Sequence, residues 1–209
     1  MIPVKVLAVR YLPNASPSLA AGLGAPKGYP SLALLTTDCD DATYIALDAA
    51  TKAAEVEVAY GRSFYAGAAN ASTPNAGEVI GILAGATPGA VKSGMDAALS
   101  TLQRVGFEDV QGVPYLAHTV ASVGSYLARE AGVPRGSAIA YLIAPPLESM
   151  YALDAALKAA DVKLCKLYTP PSETNFGGAL LSGSQSACAA ACDAFADAVA
   201  QVAARPIEH

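Results

Sequence analysis

A chain of 209 residues that is 53% hydrophobic is long enough to bury a sizeable core, as one domain or two. Only 15% of it is charged, against the ~25% usual in soluble proteins; a surface that poor in charge points to partner chains lying over much of it, the alternative being an alanine-rich genome. The net charge of −5, without a stripe of Lys and Arg, excludes nucleic acid as an expected partner, and no membrane is expected because no apolar run is read that approaches the roughly 18–20 residues of a span.

The N-terminus, Met1 to Lys5, runs straight into an alternating segment that predicts a strand over 2–10. It lacks the basic and apolar regions of a secretion signal, so a cytoplasmic location is expected. Residues 13–30 are rich in Pro, Gly and Ser and predict a loop with a short helix. A strand over 31–37 leads to a helix near 41–54, whose start holds Asp40 and Asp41, a pair suited to a helix N-terminus. Strands over 55–65 and 78–85 flank the turn-rich run AGAANASTPN at 66–75. Thr87 and Pro88 open a helix over 88–104, with Pro in the first turn where its missing N–H costs nothing. Gly106, Gly112 and Pro114 mark a linker, and a helix is predicted over 115–131. Next come a strand over 137–143, a helix over 146–160, strands over 162–168 and 177–183, and a helix over 184–203 that Pro206 stops.

The second half repeats the first. Leu47-Asp-Ala-Ala-Thr-Lys-Ala-Ala-Glu-Val56 and Leu153-Asp-Ala-Ala-Leu-Lys-Ala-Ala-Asp-Val162 agree at eight of ten positions, with an offset of 106 residues. The flanking segments follow: 31–37 sets against 137–143, and 56–65 against 162–171. VIGILAG at 79–85 sets against ALLSGS at 179–184 with an offset of 98, so the second copy is shorter between its last two strands. Two copies make a duplication, not a solenoid. The predicted domains are 1–112 and 113–209. Each reads β-α-β-β-α, an α+β fold with helices covering one face of a mostly antiparallel sheet.

Little in the chain points to catalysis. Of the four cysteines, Cys39, Cys165, Cys188 and Cys192, the last two lie one helical turn apart and read as small core residues. With His118 and the terminal His209 as the only histidines, no metal site is expected. His118 reads as a core histidine. No P-loop, dinucleotide fingerprint or nucleophile elbow occurs, and no catalytic residue is assigned.

The repeated segment, Asp48 to Val56 and again Asp154 to Val162, resembles the D-x-x-x-K-A-A-x-V signature of bacterial microcompartment shell domains. Four longer stretches, 40–69, 115–132, 140–162 and 170–199, are similar to the tandem-domain shell proteins of ethanolamine-utilisation microcompartments. The resemblance implies a structural shell subunit, not an enzyme. It implies a homotrimer whose six domains form a pseudohexameric tile, packed edge to edge with other shell proteins. It places Lys52 and Lys158 at the tile edge. It implies a gated central pore, whose loops hold Arg62, Ser63, Phe64 and Tyr65 in the first copy. In the second they hold Glu173, Thr174, Asn175 and Phe176. Taken alone, the lysines read as solvated helix residues and the aromatics as turn packing. The resemblance also implies a small-molecule site with Asp40, Glu78 and an aromatic near Phe107. Ethanolamine, an ammonium with a hydroxyl, suits paired carboxylates. Asp40 and Asp41 taken alone read as helix capping, which is compatible with the site if one carboxylate caps while the other faces the pore. No cofactor is required; cobalamin binds some relatives at the pore, but no motif here announces it. Two other functions stay open: a regulator whose pore responds to ethanolamine, and an enzyme with a site at the domain junction.

Overall fold

The computed structural model describes residues 1–64 and 73–207, in two compact units. The first unit is Pro3–Gly106 together with Gly124–Leu127; the second is Met1–Ile2, Phe107–Val123 and the chain from Ala128 onward. The pore-loop candidate Tyr65 lies outside the described residues.

In the first unit the order is β1 (Val6–Leu12), α1 (Pro17–Gly22), β2 (Ser31–Thr37), α2 (Asp40–Ala53), β3 (Val56–Ser63), β4 (Val79–Gly85) and α3 (Pro88–Leu102). The strands form one antiparallel sheet in the order β1-β2-β4-β3. Helices α2 and α3 pack against each other and over the sheet. Leu35, Leu47, Leu83 and Met95 are buried in the resulting core. A smaller cluster of Leu32, Ile82, Ala84, Ala15 and Ala20 gathers Leu12, Leu23 and Tyr29 around it, so α1 and its loop have a core of their own. Thr87 caps α3 by accepting the Ala90 N–H, and Pro88 occupies the first turn as expected.

The second unit holds β5 (Glu108–Val110), β6 (Val113–Val120), β7 (Ala138–Ala144), α5 (Pro146–Ala159), β8 (Val162–Tyr168), β9 (Gly177–Gly183) and α6 (Gln185–Ala204). Its antiparallel sheet runs β5-β6-β7-β9-β8. Between β6 and β7 lies α4 (Ser125–Ala131), whose first turn counts with the first unit. Leu142, Leu153, Leu181, Phe195 and Val199 form the core, with Cys188 and Cys192 among them as free thiols. Burial pushes the Cys192 thiol up to about 11, which leaves it protonated and inert. By length and composition α6 is apolar enough to cross a membrane, which corrects the expectation that no segment would be; its Cys188, Cys192, Phe195 and Val199 belong to this core.

The helix expected over 115–131 is the main correction. Residues 113–120 form a strand, and only Ser125–Ala131 is helical. Pairing with β7, from Leu116↔Ile143 to Val120↔Ile139, gives this backbone its hydrogen bonds and overrides its local pattern. A second difference lies in the linker. Gln111 and Gly112, both at positive φ, form a two-residue hairpin turn that joins β5 to β6.

With β6 and α4 in place, and apart from the added edge strand β5, both copies read β-α-β-α-β-β-α. The match reaches the irregularities: β3 is interrupted between Val58 and Tyr60, β8 between Leu164 and Lys166, at the same offset of 106. The strand pair β2 and β7 is offset by 107, not the 106 read from sequence. Two residues, Asp38 and Cys39, therefore join strand to helix in the first copy, where Pro145 alone does so in the second.

Candidate functional site

The extra residue in that turn lies where the carboxylates gather. At the end of β2 the buried hydroxyls of Thr37 and Thr43 stand 2.7 Å apart and tie the strand to the first turn of α2. Cys39 occupies the N-cap position without capping through its side chain. Asp40 and Asp41 follow in the first turn, where the helix dipole favours negative charge. Both are buried, at 7% exposure each. Asp40 Oδ1 accepts the Asp41 N–H at 2.9 Å, a bond within the first turn and not a cap from the N-cap position.

Glu78 reaches the same place from the other side. Gly77 precedes it at φ 65°, and a side chain there would run into the Thr37 carbonyl. Glycine lets the chain turn tightly onto the end of β2, where the Glu78 N–H donates to Thr37 O at 2.9 Å. Loss of hydration raises the Glu78 carboxyl, and repulsion from Asp40 and then Asp38 adds to it, although its side chain keeps contact with solvent. Burial raises the Asp40 carboxyl, against hydrogen bonds from Ser63 and from backbone N–H groups. Burial and the nearby Asp41, Asp40 and Glu78 also push the Cys39 thiol far up. Asp38 stands slightly apart, accepting the Lys5 N–H at 2.7 Å. Among the described residues no group of three or more His, Cys, Asp and Glu side chains is arranged to hold a metal ion.

The first pore-loop candidates share this corner. Ser63 ends β3 opposite Val79, Arg62 lies opposite Ile80 with an exposed side chain, and the Phe64 N–H donates to Glu78 O at 3.0 Å. Tyr44 on α2, which sequence reasoning did not single out, places its hydroxyl 2.6 Å from Ser63 Oγ. Its ring lies 5.8 Å from that of Tyr126.

The second copy has no such corner. At the helix offset of 106, Asp40 and Asp41 become Pro146 and Leu147; at the strand offset of 98, Glu78 becomes Phe176. Glu173, Thr174 and Asn175 form a turn in which Asn175 takes φ 67° and the Ser172 N–H donates to Phe176 O at 2.8 Å. Phe107 belongs to this unit, its ring tilted against Phe176 at 5.6 Å. The structure thus groups Asp40, Asp41 and Glu78 in one unit and Phe107 with Phe176 in the other.

The two signature lysines also differ. Lys158 pairs with Asp154 at 2.5 Å, and both are exposed. Lys52 lies 3.3 Å from Asp48, which is fully buried. Asp48 accepts the N–H groups of Gly124 and Leu127 at 2.8 and 2.9 Å, and Thr51 Oγ1 accepts that of Ser125. It therefore caps α4 from another helix. The shared signature positions gave no sign of this; the one cue was Gly124, a glycine directly before a helix.

Residues 31–113 match the family described as BMC domain. The chain is 57% identical to the bacterial microcompartment shell protein EutL of Clostridium perfringens, over 99% of this chain and 97% of that one. The chain belongs to this family of bacterial microcompartment shell proteins. The corresponding shell protein of Escherichia coli is 48% identical, over 100% of this chain and 97% of that one. The crystal structure of the ethanolamine utilization protein EutL from Leptotrichia buccalis superposes with a TM-score of 0.95 at 57% identity, covering 100% of this chain and 98% of that one. The α+β fold of two tandem shell domains stands. These relatives are named as shell proteins, not enzymes, and this shell protein is a structural component of the microcompartment shell in the cytoplasm.

Proposed function

We propose that three copies of this shell protein close into a pseudohexameric tile of an ethanolamine-utilisation microcompartment. In this reading Lys52 and Lys158 lie at the edges where tiles meet other shell proteins. Arg62 to Tyr65 and Glu173 to Phe176 gate a central pore, and Asp40, Asp41 and Glu78 bind ethanolamine. No cofactor is part of the proposal, and cobalamin at the pore is left out of it.

One observation carries the assembly: elements that are twins in sequence differ in what covers them. On α2, Asp48 and Thr51 are buried and hydrogen-bonded to Gly124–Leu127. Their counterparts on α5, Asp154 and Leu157, are exposed, and so are Leu147 and Tyr151 on the same helix face. On the strand beside them Val58 is 5% exposed, its counterpart Leu164 41%. The segment that would fill this face is open as well. α1 is the counterpart of α4, and Leu19 on α1 is exposed where Leu127 on α4 is buried. One chain therefore presents both halves of a contact that it also makes once within itself. Different patches meeting head to tail between identical chains generate rings when the rotation closes. Exposed leucines and a tyrosine on one face favour a stable contact over solvent.

Light scattering behind size exclusion tests this. The expected mass is that of three 21.0 kDa chains. Leu157→Glu places a charge in the proposed contact and is expected to give a folded monomer. A wild-type chain that stays monomeric at high concentration would overturn the ring.

A further inference from the structure

The segment around α1 matches that around α4 at an offset of 108 residues, and the match extends to the backbone. The Ala25 N–H donates to Ala20 O as the Val133 N–H does to Ala128 O, and Gly24 to Ala21 as Gly132 to Arg129. Gly24 and Gly28 take positive φ, as do Gly132 and Gly136. Gly124, Ser125, Tyr126 and Leu127 therefore correspond to Ser16, Pro17, Ser18 and Leu19. The residues that receive the α4 segment have counterparts too, at the offset of 106: Thr51 becomes Leu157, Glu57 becomes Lys163 and Gly61 becomes Leu167.

The differences on the two sides are matched. The Ser125 N–H donates to Thr51 Oγ1 at 3.0 Å, and its hydroxyl donates to Glu57 at 2.9 Å. Pro17 has neither donor, and Leu157 has no acceptor. Tyr126 is large and faces Gly61, where a side chain would come within 3.2 Å of the tyrosine hydroxyl. Ser18 is small where Leu167 is large. Asp48 accepts the Gly124 and Leu127 N–H groups, whereas Ser16 Oγ accepts the Leu19 N–H within α1 and Asp154 pairs with Lys158. Spacing follows the same logic. A side chain at Gly124 would come within 2.7 Å of Asp48 O. Ser16 carries that side chain, so α1 must ride farther from its helix, and Leu157 and Leu167 are the larger residues where the gap widens. Leu19, Leu157 and Leu167 are all exposed.

We propose that α1 of a second copy seats on the α5–β8 face through Pro17, Ser18 and Leu19, in a wider and apolar version of the contact that α4 makes on α2. The proposal rests on the ring reading above and adds to it that neither segment fits the other's seat. On α2, α1 would drive Ser16 into the Asp48 carbonyl and set Pro17, which has no N–H, against the Thr51 hydroxyl. On α5, α4 would drive Tyr126 into Leu167 and bury the Ser125 N–H against Leu157, where no acceptor meets it. These mismatches separate two contacts built on twin elements, because specificity is the difference between the right fit and the wrong one. They keep α1 from displacing α4 within a chain and leave it for the next copy.

The test exchanges the large and small partners in the full chain and reads mass by light scattering. Ser18→Tyr, at an exposed position, is expected to lower the mass from three 21.0 kDa chains to one without unfolding the protein. Adding Leu167→Gly rebuilds the tyrosine–glycine pair of the α4 contact and should return the mass to three chains. Should glycine unfold the edge strand, Leu167→Ala opens part of the same room and should return the mass to three chains at a higher protein concentration than wild type needs. Tyr126→Ser acts within the chain, so it is expected to lower the melting temperature and leave the mass at three. A wild type that stays monomeric overturns the ring and this seat with it. A trimeric wild type whose Ser18→Tyr variant is also trimeric overturns the seat and leaves the ring standing. Folded double variants that stay monomeric at every concentration overturn the seat as well.

Discussion

Asp40 is held at a helix start that favours its charge and in a burial that opposes it. Burial dominates, so its carboxyl takes up a proton above the ordinary carboxylate range; Glu78 behaves likewise, through lost hydration and then repulsion from Asp40. For both groups the folded chain binds protons more readily than the unfolded one. Stability from this source therefore rises as pH falls through their folded midpoints toward the ordinary carboxylate range, and is lost as pH rises through them. Asp40→Asn removes the charge that costs stability at neutral pH. It is expected to melt at a higher temperature than wild type there, with the advantage vanishing in acid; thermal melts across pH check this. Legibility at this scale was uneven. Asp40 and Asp41 stand out as an acidic pair at a helix start, and the family resemblance pointed to Asp40 and Glu78. Tyr44 could not, because nothing in a helical tyrosine says that its hydroxyl will meet a serine 19 residues away.

Helix α4 shows what decides an element. Residues 115–131 contain alanines and few breakers, and a helix is the local expectation. The first part instead completes a sheet, because β7 is buried along its whole length and needs a partner on each side. What remains is one short helix, too short to hold itself. Its first N–H groups are satisfied by Asp48 and Thr51, where α1, its counterpart, uses its own Ser16 to accept the Leu19 N–H. The close approach requires Gly124: a side chain there would overlap Thr51 Oγ1 and come within 2.7 Å of Asp48 O. Gly124→Ala is expected to destabilise the protein by about 1–3 kcal/mol, as for overpacking elsewhere. Asp48→Ala, which leaves buried N–H groups unpaired, should cost about as much. Equal stability of Gly124→Ala and wild type in urea titrations would show that the approach is less tight than described.

For the whole molecule, the duplication sets the number of surfaces, and the proposed assembly rests on their differences. Both copies keep the same order of four strands, to which the second adds β5 at its edge, the same ladder irregularity and the same signature helix. They diverge where faces meet other things: a carboxylate corner in one, Pro146, Leu147 and Phe176 in the other; a covered α2 and an open α5. The proposed edge role of the lysines belongs to this scale. Lys52→Ala and Lys158→Ala together are expected to leave the mass of the ring unchanged and to abolish two-dimensional arrays seen by electron microscopy. Normal arrays from the double variant would remove the lysines from the edge.

Periodicity, turn residues and self-similarity were enough for most of the element order, the duplication and the α+β class, and resemblance of the repeated signature for the family, because those depend on local patterns that the chain carries wherever it folds. Tertiary structure alone decided that Asp48 is a buried cap and Asp154 an exposed ion pair, though their surrounding sequences agree at eight of ten positions. It also decided that residues 113–120 are a strand, and that the Tyr44 hydroxyl meets Ser63. Each of these turns on a partner far away in sequence, and a residue's pattern of neighbours along the chain does not record which group will remove it from water.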